Sequence, residues 1–263
     1  MNLKPLCYAV VEVARKAGSF IGEERKTFGQ SHVVEKGSRN LVSYVDFTAE
    51  KMIVEDLRVL LPEAGFLTEE NTVKEQNDSL RWIIDPLDGT TNFIHGLPIF
   101  SVSIALEKDG EIVVGVVHEV NLNESFYAWK DGGAYLNGKK IFVTDTNNLK
   151  NALCATGFPY EVFPNLERYF NTLKFLFQNS RGIRRLGSAA VDLVYVAAGR
   201  LDAFYEYNLN SWDVAAGALV VREAGGSVTD FSGGENYLLG KEIVATNKNV
   251  YSEFFKVVTY PPV

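Results

Sequence analysis

Residues 99–120 read IFSVSIALEKDGEIVVGVVHEV, and this stretch decides the fold class. Two apolar arms of strand length flank Asp109-Gly110, the dipeptide that a type I′ hairpin turn favours because both of its central residues take positive φ. The spacing therefore predicts an antiparallel sheet at the centre of the chain. A second turn signal, Asn137-Gly138, lies between Tyr135-Leu136 and Ile141-Phe142-Val143 and extends that sheet. Toward the C-terminus, short strands are expected at 152–156, 182–186, 202–207, 227–231 and 242–246, alternating with helices near 165–178, 189–198 and 214–224. Toward the N-terminus, Leu6, Ala9, Val10, Val13, Ala17, Phe20 and Ile21 recur at helical spacing, which predicts an amphipathic helix over 3–28. A second helix is expected over about 47–60, with Asp46 as its N-cap and Pro62 beyond its end. The polar stretch from His32 to Tyr44 reads as a loop or a mobile hairpin. Strands and helices in this mixed order indicate an α+β layered sandwich and not a doubly wound sheet. No repeat or long linker divides the chain, so 1–263 is expected to form one domain, with two lobes, about 1–145 and 146–263, meeting near residue 145.

The composition narrows the possible functions. A net charge of -7 disfavours direct nucleic-acid contact and membrane-surface binding, both of which select basic faces. No segment approaches the roughly 18 apolar residues needed to span a bilayer. Cys7 and Cys154 are the only cysteines, without zinc-like spacing, and read as buried reduced thiols. The N-terminus carries Lys4, Glu12, Arg15 and Lys16 and has no credible cleavage site, so a cytoplasmic location is expected.

The chemistry concentrates in residues 81–93, where Trp82, Ile83 and Ile84 read as a buried strand running into Asp85-Pro86-Leu87-Asp88-Gly89-Thr90-Thr91-Asn92-Phe93. Pro86 is expected to end the regular strand and leave Asp85 and Asp88 at or beyond its tip. Glu69, Glu70 and Asp213 are further acidic candidates. All are hard oxygen donors suited to magnesium, which neutralises phosphoryl oxygens while a water attacks in line. Read alone, Asp-Pro-Leu-Asp-Gly suits a plain turn equally well, Glu69-Glu70 suits a solvated acidic pair, and Asp213 suits an N-cap for a helix from Val214 to Glu223. The following Gly89-Thr90-Thr91-Asn92 favours a site, because glycine lets backbone approach a ligand and the hydroxyls can open a helix toward an anion. His95 lacks a second histidine at ligand spacing and reads as a structural hydrogen-bonding residue. Arg184 and Arg185 could form a small anion patch.

Residues 85–93 together with Trp212-Asp213-Val214-Ala215-Ala216-Gly217 resemble the two signature motifs of the inositol monophosphatase family. Lys36, Ser43 to Asp46, Glu69-Glu70, Gly187-Ser188-Ala189 and Glu206 follow in the same order, so the resemblance covers nearly the whole chain. It implies the layered α-β-α-β-α sandwich of the sugar phosphatases and a Mg2+-dependent, lithium-sensitive phosphomonoesterase with two or three ions per site. By resemblance, Glu69, Asp85 and the Leu87 carbonyl would hold one ion and Asp85, Asp88 and Asp213 a second, with a third leaning on Glu69. Asp46 and Thr90 would orient a metal-activated water, and the Gly89 and Thr90 amides would hold phosphate. Asp88, Ser188, Ala189, Glu206 and Asp213 would lie along the substrate. The implied substrate is a small phosphate ester, inositol 1-phosphate or a similar polyol phosphate. Relatives with the same core act on histidinol phosphate, fructose 1,6-bisphosphate or nucleotide 3′-phosphates. The segment Tyr207-Asn208-Leu209-Asn210-Ser211 departs from the animal enzymes and leaves the leaving-group alcohol open. A homodimer is implied as well, and a regulatory, protein-binding role is the competing reading.

Overall fold

The computed structural model describes residues 1–29, 33–37, 40–75, 77–158 and 166–260, with the backbone alone for 33–37 and 40–42. In chain order the elements begin with α1 (Leu3–Thr27), β1 (Val33–Gly37), β2 (Asn40–Ser43), α2 (Tyr44–Leu60), β3 (Gly65–Thr68), β4 (Leu80–Asp88) and α3 (Thr90–His95). The central strands are β5 (Ser101–Lys108), β6 (Glu111–Glu119), β7 (Glu124–Trp129), β8 (Gly133–Leu136) and β9 (Lys139–Ile141). There follow β10 (Leu153–Thr156), α4 (Leu166–Asn179), β11 (Gly182–Arg184), α5 (Ala189–Ala197), β12 (Ala203–Tyr207), α6 (Ser211–Glu223), β13 (Ser227–Thr229), β14 (Glu242–Thr246) and α7 (Tyr251–Thr259). The backbones of β1 and β2 pair antiparallel, so a hairpin occupies the stretch read as a loop or hairpin. His32 and the side chain of Lys36 lie outside what is described.

Strands β3 to β9 form a seven-stranded sheet in sequence order, and β11-β10-β12-β14-β13 form a five-stranded one. The hairpin of β5 and β6 turns at Asp109, φ 52°, and Gly110, φ 81°, the two positive angles a type I′ turn requires. Alternation along each strand sorts its side chains into two cores. Trp82, Ile84 and Tyr127 face α1 and α2, whereas Ile83, Val117 and Phe126 face α5 and α6. In the second sheet Ala155, Phe204 and Ala245 share the α5 and α6 core, and Cys154, Tyr205 and Val244 face the opposite way, toward α4 and α7. The order is therefore helix, sheet, helix, sheet, helix.

The middle layer explains its own sequence. A helix covered on both sides is apolar all round, and in α5 every residue except Tyr195 is buried, including Asp192. Helix α6 lies close to the larger sheet because Gly115 has no side chain; a Cβ there would come within 2.6 Å of the Ala216 carbonyl oxygen. Cys7 and Cys154 are free and buried. Among the described residues no helix is long and apolar enough to cross a membrane.

One expectation needs correction here. Strand β4 does not stop before Pro86; it continues to Asp88 in the sheet interior, between β3 and β5. The register shifts from Asp85↔Ser103 to Asp88↔Ser101, so β4 uses an extra residue and bulges across Pro86-Leu87. A bulge needs no regular ladder donor from proline and re-aims the flanking side chains.

Candidate active site

Parallel strands end on the same side, and that places the first two acids together. Thr68 of β3 pairs with Ile84 of β4, and the Glu69 amide donates to the Ile84 carbonyl at 3.2 Å, so Glu69 leaves its strand beside Asp85. The bulge then brings Asp88 round to the N-terminus of α5, where its Oδ2 accepts from the Ser188 hydroxyl at 2.6 Å and the Ala190 amide at 2.7 Å. Asp213 comes from the first turn of α6. It is not the N-cap, which is Asn210; Asp213 stands three residues inside the helix and accepts the Asn210 amide at 2.6 Å. One carboxylate oxygen from each of Asp85, Asp88 and Asp213 lies within 4.8 Å of the others.

The electrostatics of these acids follow from burial and crowding. Burial, then the charges of Glu69, Asp88 and Asp213, hold Asp85 well above the usual aspartate range. Burial and the charges of Asp213 and Glu70 push Glu69 up to about 8, and burial with the Asp88 charge pushes Asp213 up to about 7. Asp88 is raised only to about 6, because burial is opposed by its bonds from Ser188, Ala190 and Ala189. An all-oxygen donor set whose members repel one another fits a hard divalent cation, which removes the repulsion and restores the ionised forms.

Thr90 and Asp46 form a second arrangement beside the acids. Gly89 precedes α3 at φ 96°, and a Cβ on it would approach the Ile99 carbonyl at 3.0 Å, so the turn out of β4 requires glycine. The Thr90 hydroxyl then reaches both the Asp46 Oδ1 at 3.1 Å and the Leu87 carbonyl at 3.0 Å. Asp46 is another correction: Ser43 is the N-cap of α2, and Asp46 closes a capping box by accepting the Ser43 amide at 2.9 Å. In both helices the third-position acid has one oxygen in the cap. Burial raises Asp46 above the ordinary aspartate value against the opposing effect of these bonds.

Toward the other sheet, Glu206 stands near the end of β12, on the same face as Phe204, with Ser188 and Ala189 at the start of α5. Burial pushes Glu206 up to about 8, opposed by the Arg185 charge and reinforced by Asp213 and Asp88. Arg184 and Arg185 are both exposed, and it is the Arg185 charge that acts on Glu206, Asp88 and Asp192. His95 is exposed in the last turn of α3, and of the two described histidines it is His118 that is buried.

Comparison with known proteins gives the family. The model of the inositol monophosphatase family matches residues 2–258. The chain belongs to the inositol monophosphatase family. It is 44% identical over 249 residues to the Nus factor SuhB of Escherichia coli strain K12, covering 94% of this chain and 93% of that protein. It is 40% identical over 262 residues to the inositol-1-monophosphatase of Mesorhizobium japonicum, covering 99% and 98%. Among solved structures, the Thermotoga maritima IMPase superposes with a TM-score of 0.86 at 36% identity, over 94% of each chain. The family supports a phosphatase activity for this protein, and the α-β-α-β-α sandwich is the family's fold.

Two residues of this family member escape a motif-based reading. Glu50 is fully buried on α2, one turn after Asp46, and accepts from the Thr68 hydroxyl, the Glu70 amide and both the amide and hydroxyl of Thr72 at 2.7–2.8 Å. It ties down the turn that carries Glu69. Asp192 is 1% exposed, its Oδ1 has no hydrogen-bond partner, and burial with the Glu206 charge holds it well above the aspartate range. The available signal in each case was an acid at an apolar helical position: Val45, Ala49, Ile53 and Leu57 surround Glu50, and Val191, Leu193 and Val194 surround Asp192.

Proposed function

We propose that this protein is a Mg2+-dependent phosphomonoesterase that hydrolyses inositol 1-phosphate or a similar polyol phosphate by direct attack of water on phosphorus. The carrying observation is the convergence of Asp85, Asp88 and Asp213 beside Glu69 in a partly buried, all-oxygen cluster. Glu69, Asp85 and the Leu87 carbonyl would hold one cation, Asp85, Asp88 and Asp213 a second, and Glu69 would contribute to a third. Bound there, Mg2+ neutralises the phosphoryl oxygens and acidifies the attacking water. The Leu87 carbonyl has two lone pairs, so accepting from Thr90 leaves one free for a ligand role. Because the single Thr90 proton is committed to Asp46 and Leu87, its oxygen meets an incoming water as an acceptor. A proton leaving the water can pass to Thr90 as Thr90 gives its own to Asp46. The Gly89 and Thr90 amides are assigned to the phosphate oxygens.

On the alcohol side, Glu206, Ser188 and Ala189 are assigned to the polyol. A carboxyl built to pair with a hydroxyl rejects a substrate that lacks it, since the carboxyl is then left unpaired. Phosphate release from inositol 1-phosphate is expected with Mg2+ and is expected to be lost in Asp85→Asn; full activity in that variant would overturn the ligand set. A panel containing histidinol phosphate, fructose 1,6-bisphosphate and a nucleotide 3′-phosphate, ranked by kcat/KM, tests the substrate. Lithium inhibition and a homodimer belong to the same proposal and are checked by inhibition assay and by light scattering.

A second reading is favoured by the 44% identity to a protein named a Nus factor: this chain engages a protein complex through its acidic surface. Retention of a partner by the Asp85→Asn variant supports that reading, and an empty pull-down counts against it.

A further inference from the structure

We propose that Gly157 is a specificity-determining position, because the space where its side chain would stand is occupied by the carboxyl of Glu206. The inference rests on the reading of Glu206 as the group that meets the substrate's alcohol. Strands β10 and β12 run parallel with Thr156 opposite Tyr205, so the next residues along, Gly157 and Glu206, stand side by side where the two strands end. A Cβ built on Gly157 has as its three nearest neighbours the two oxygens and the Cδ of Glu206, all in overlap. No backbone demand explains this glycine. It is absent from the residues of positive φ, so alanine would fit the main chain.

The glycine backbone is also pinned. Its carbonyl accepts the Tyr169 hydroxyl at 2.6 Å, the same hydroxyl lies 3.1 Å from the Thr156 Oγ1, and Tyr169 is on the buried face of α4. With the strand end held, a methyl on Gly157 is accommodated by movement of Glu206. The charges of Asp88 and Asp213 oppose its ionisation and that of Arg185 favours it, so a displaced carboxyl leaves a balanced position between acids and guanidinium. The three atoms nearest a Gly157 Cβ all belong to Glu206, which is assigned neither to metal nor to water. Gly157 acts through Glu206 and is a positioning residue.

The test uses purified protein with saturating Mg2+ and two esters: inositol 1-phosphate and phenyl phosphate, which has no hydroxyl for Glu206 to meet. Gly157→Ala is expected to lower kcat/KM for inositol 1-phosphate about 10- to 100-fold, chiefly through KM, and to change phenyl phosphate less than about twofold. Glu206→Ala is expected to lower the same ratio, and adding Gly157→Ala to it is expected to do nothing more, since the two residues act as one unit. A wild-type ratio in Gly157→Ala alongside a lowered ratio in Glu206→Ala overturns the role of Gly157 and leaves the function reading standing. Equal losses on both esters overturn it as well. An unchanged ratio in Glu206→Ala defeats the reading of Glu206 and this inference with it.

Discussion

Replacing Glu50 with glutamine is expected to weaken both the fold and its hold on Mg2+, by amounts that follow from four hydrogen bonds. Oε1 accepts from the Thr68 hydroxyl at 2.8 Å, the Thr72 amide at 2.8 Å and the Thr72 hydroxyl at 2.7 Å, while Oε2 accepts from the Glu70 amide at 2.8 Å. A glutamine that keeps its oxygen in the first place loses only the second, but sets an NH2 group against the Glu70 N–H. The flipped amide is worse: it keeps the Glu70 bond but sets its NH2 against the Thr72 N–H and withdraws the acceptor from the Thr68 and Thr72 hydroxyls. The smallest cost is thus one hydrogen bond to a charged group with a buried amide left orphaned, about 2 kcal/mol. That corresponds to a fall of about 4–8 °C in melting temperature for a chain of this size. The orphaned amide belongs to the residue next to Glu69, so the Mg2+ concentration giving half-maximal hydrolysis is expected to rise about 10-fold, as when a metal site loses a supporting hydrogen bond. Urea unfolding without metal measures the first effect and a Mg2+ titration of initial rates the second. A wild-type urea midpoint at unchanged slope, together with wild-type Mg2+ dependence, would refute the reasoning.

Two further perturbations probe the frame around the site. Burial, helped by Arg15, pushes His118 down to about 4, so the folded protein keeps the ring neutral while the unfolded chain binds a proton near pH 6.5. Stability conferred by this residue is therefore lost as pH falls from about 6.5 toward 4, by up to about 1.4 kcal/mol per unit, and the difference in urea stability between wild type and His118→Gln is expected to carry that slope. A flat difference curve refutes it. Gly115→Ala is expected to destabilise by about 1–3 kcal/mol, because its methyl meets the Ala216 carbonyl and α6 must lift from the sheet; an unchanged melting temperature would show that the contact yields freely.

Much of this arrangement was legible before folding was considered. The turn dipeptides Asp109-Gly110 and Asn137-Gly138 marked both hairpins, because few residue pairs tolerate positive φ twice in succession. The helices over 3–28, 47–60 and 165–178 were found to within about three residues by their periodicity, and the short strands β10 to β14 by their apolar cores. Strand β7 and helix α7 were not anticipated, although Phe254, Val257 and Val258 give α7 a buried face. At the helix starts the sequence misleads in one way: Asp46, and Asp213 in the structural one of its two readings, suit N-caps, whereas each sits three residues further in, behind Ser43 and Asn210. The capping pattern was visible as Ser-x-x-Asp and Asn-x-x-Asp, and in it the acid accepts the cap's amide.

By itself the sequence determined the kind of chemistry: which acids are available, which of them border strand ends and helix starts, and that glycine and threonine follow the Asp85 and Asp88 motif. These are matters of residue type and local spacing, and local spacing survives folding. Only the tertiary structure decided which acids share a space. The parallel pairing of β3 with β4, the bulge at Pro86-Leu87 and the placement of α6 between two sheets bring Glu69, Asp85, Asp88 and Asp213 together from positions up to 144 residues apart. The roles of Glu50 and of the gap at Gly157 are likewise invisible along the chain, because each depends on how closely two segments approach, and close approach is set by packing.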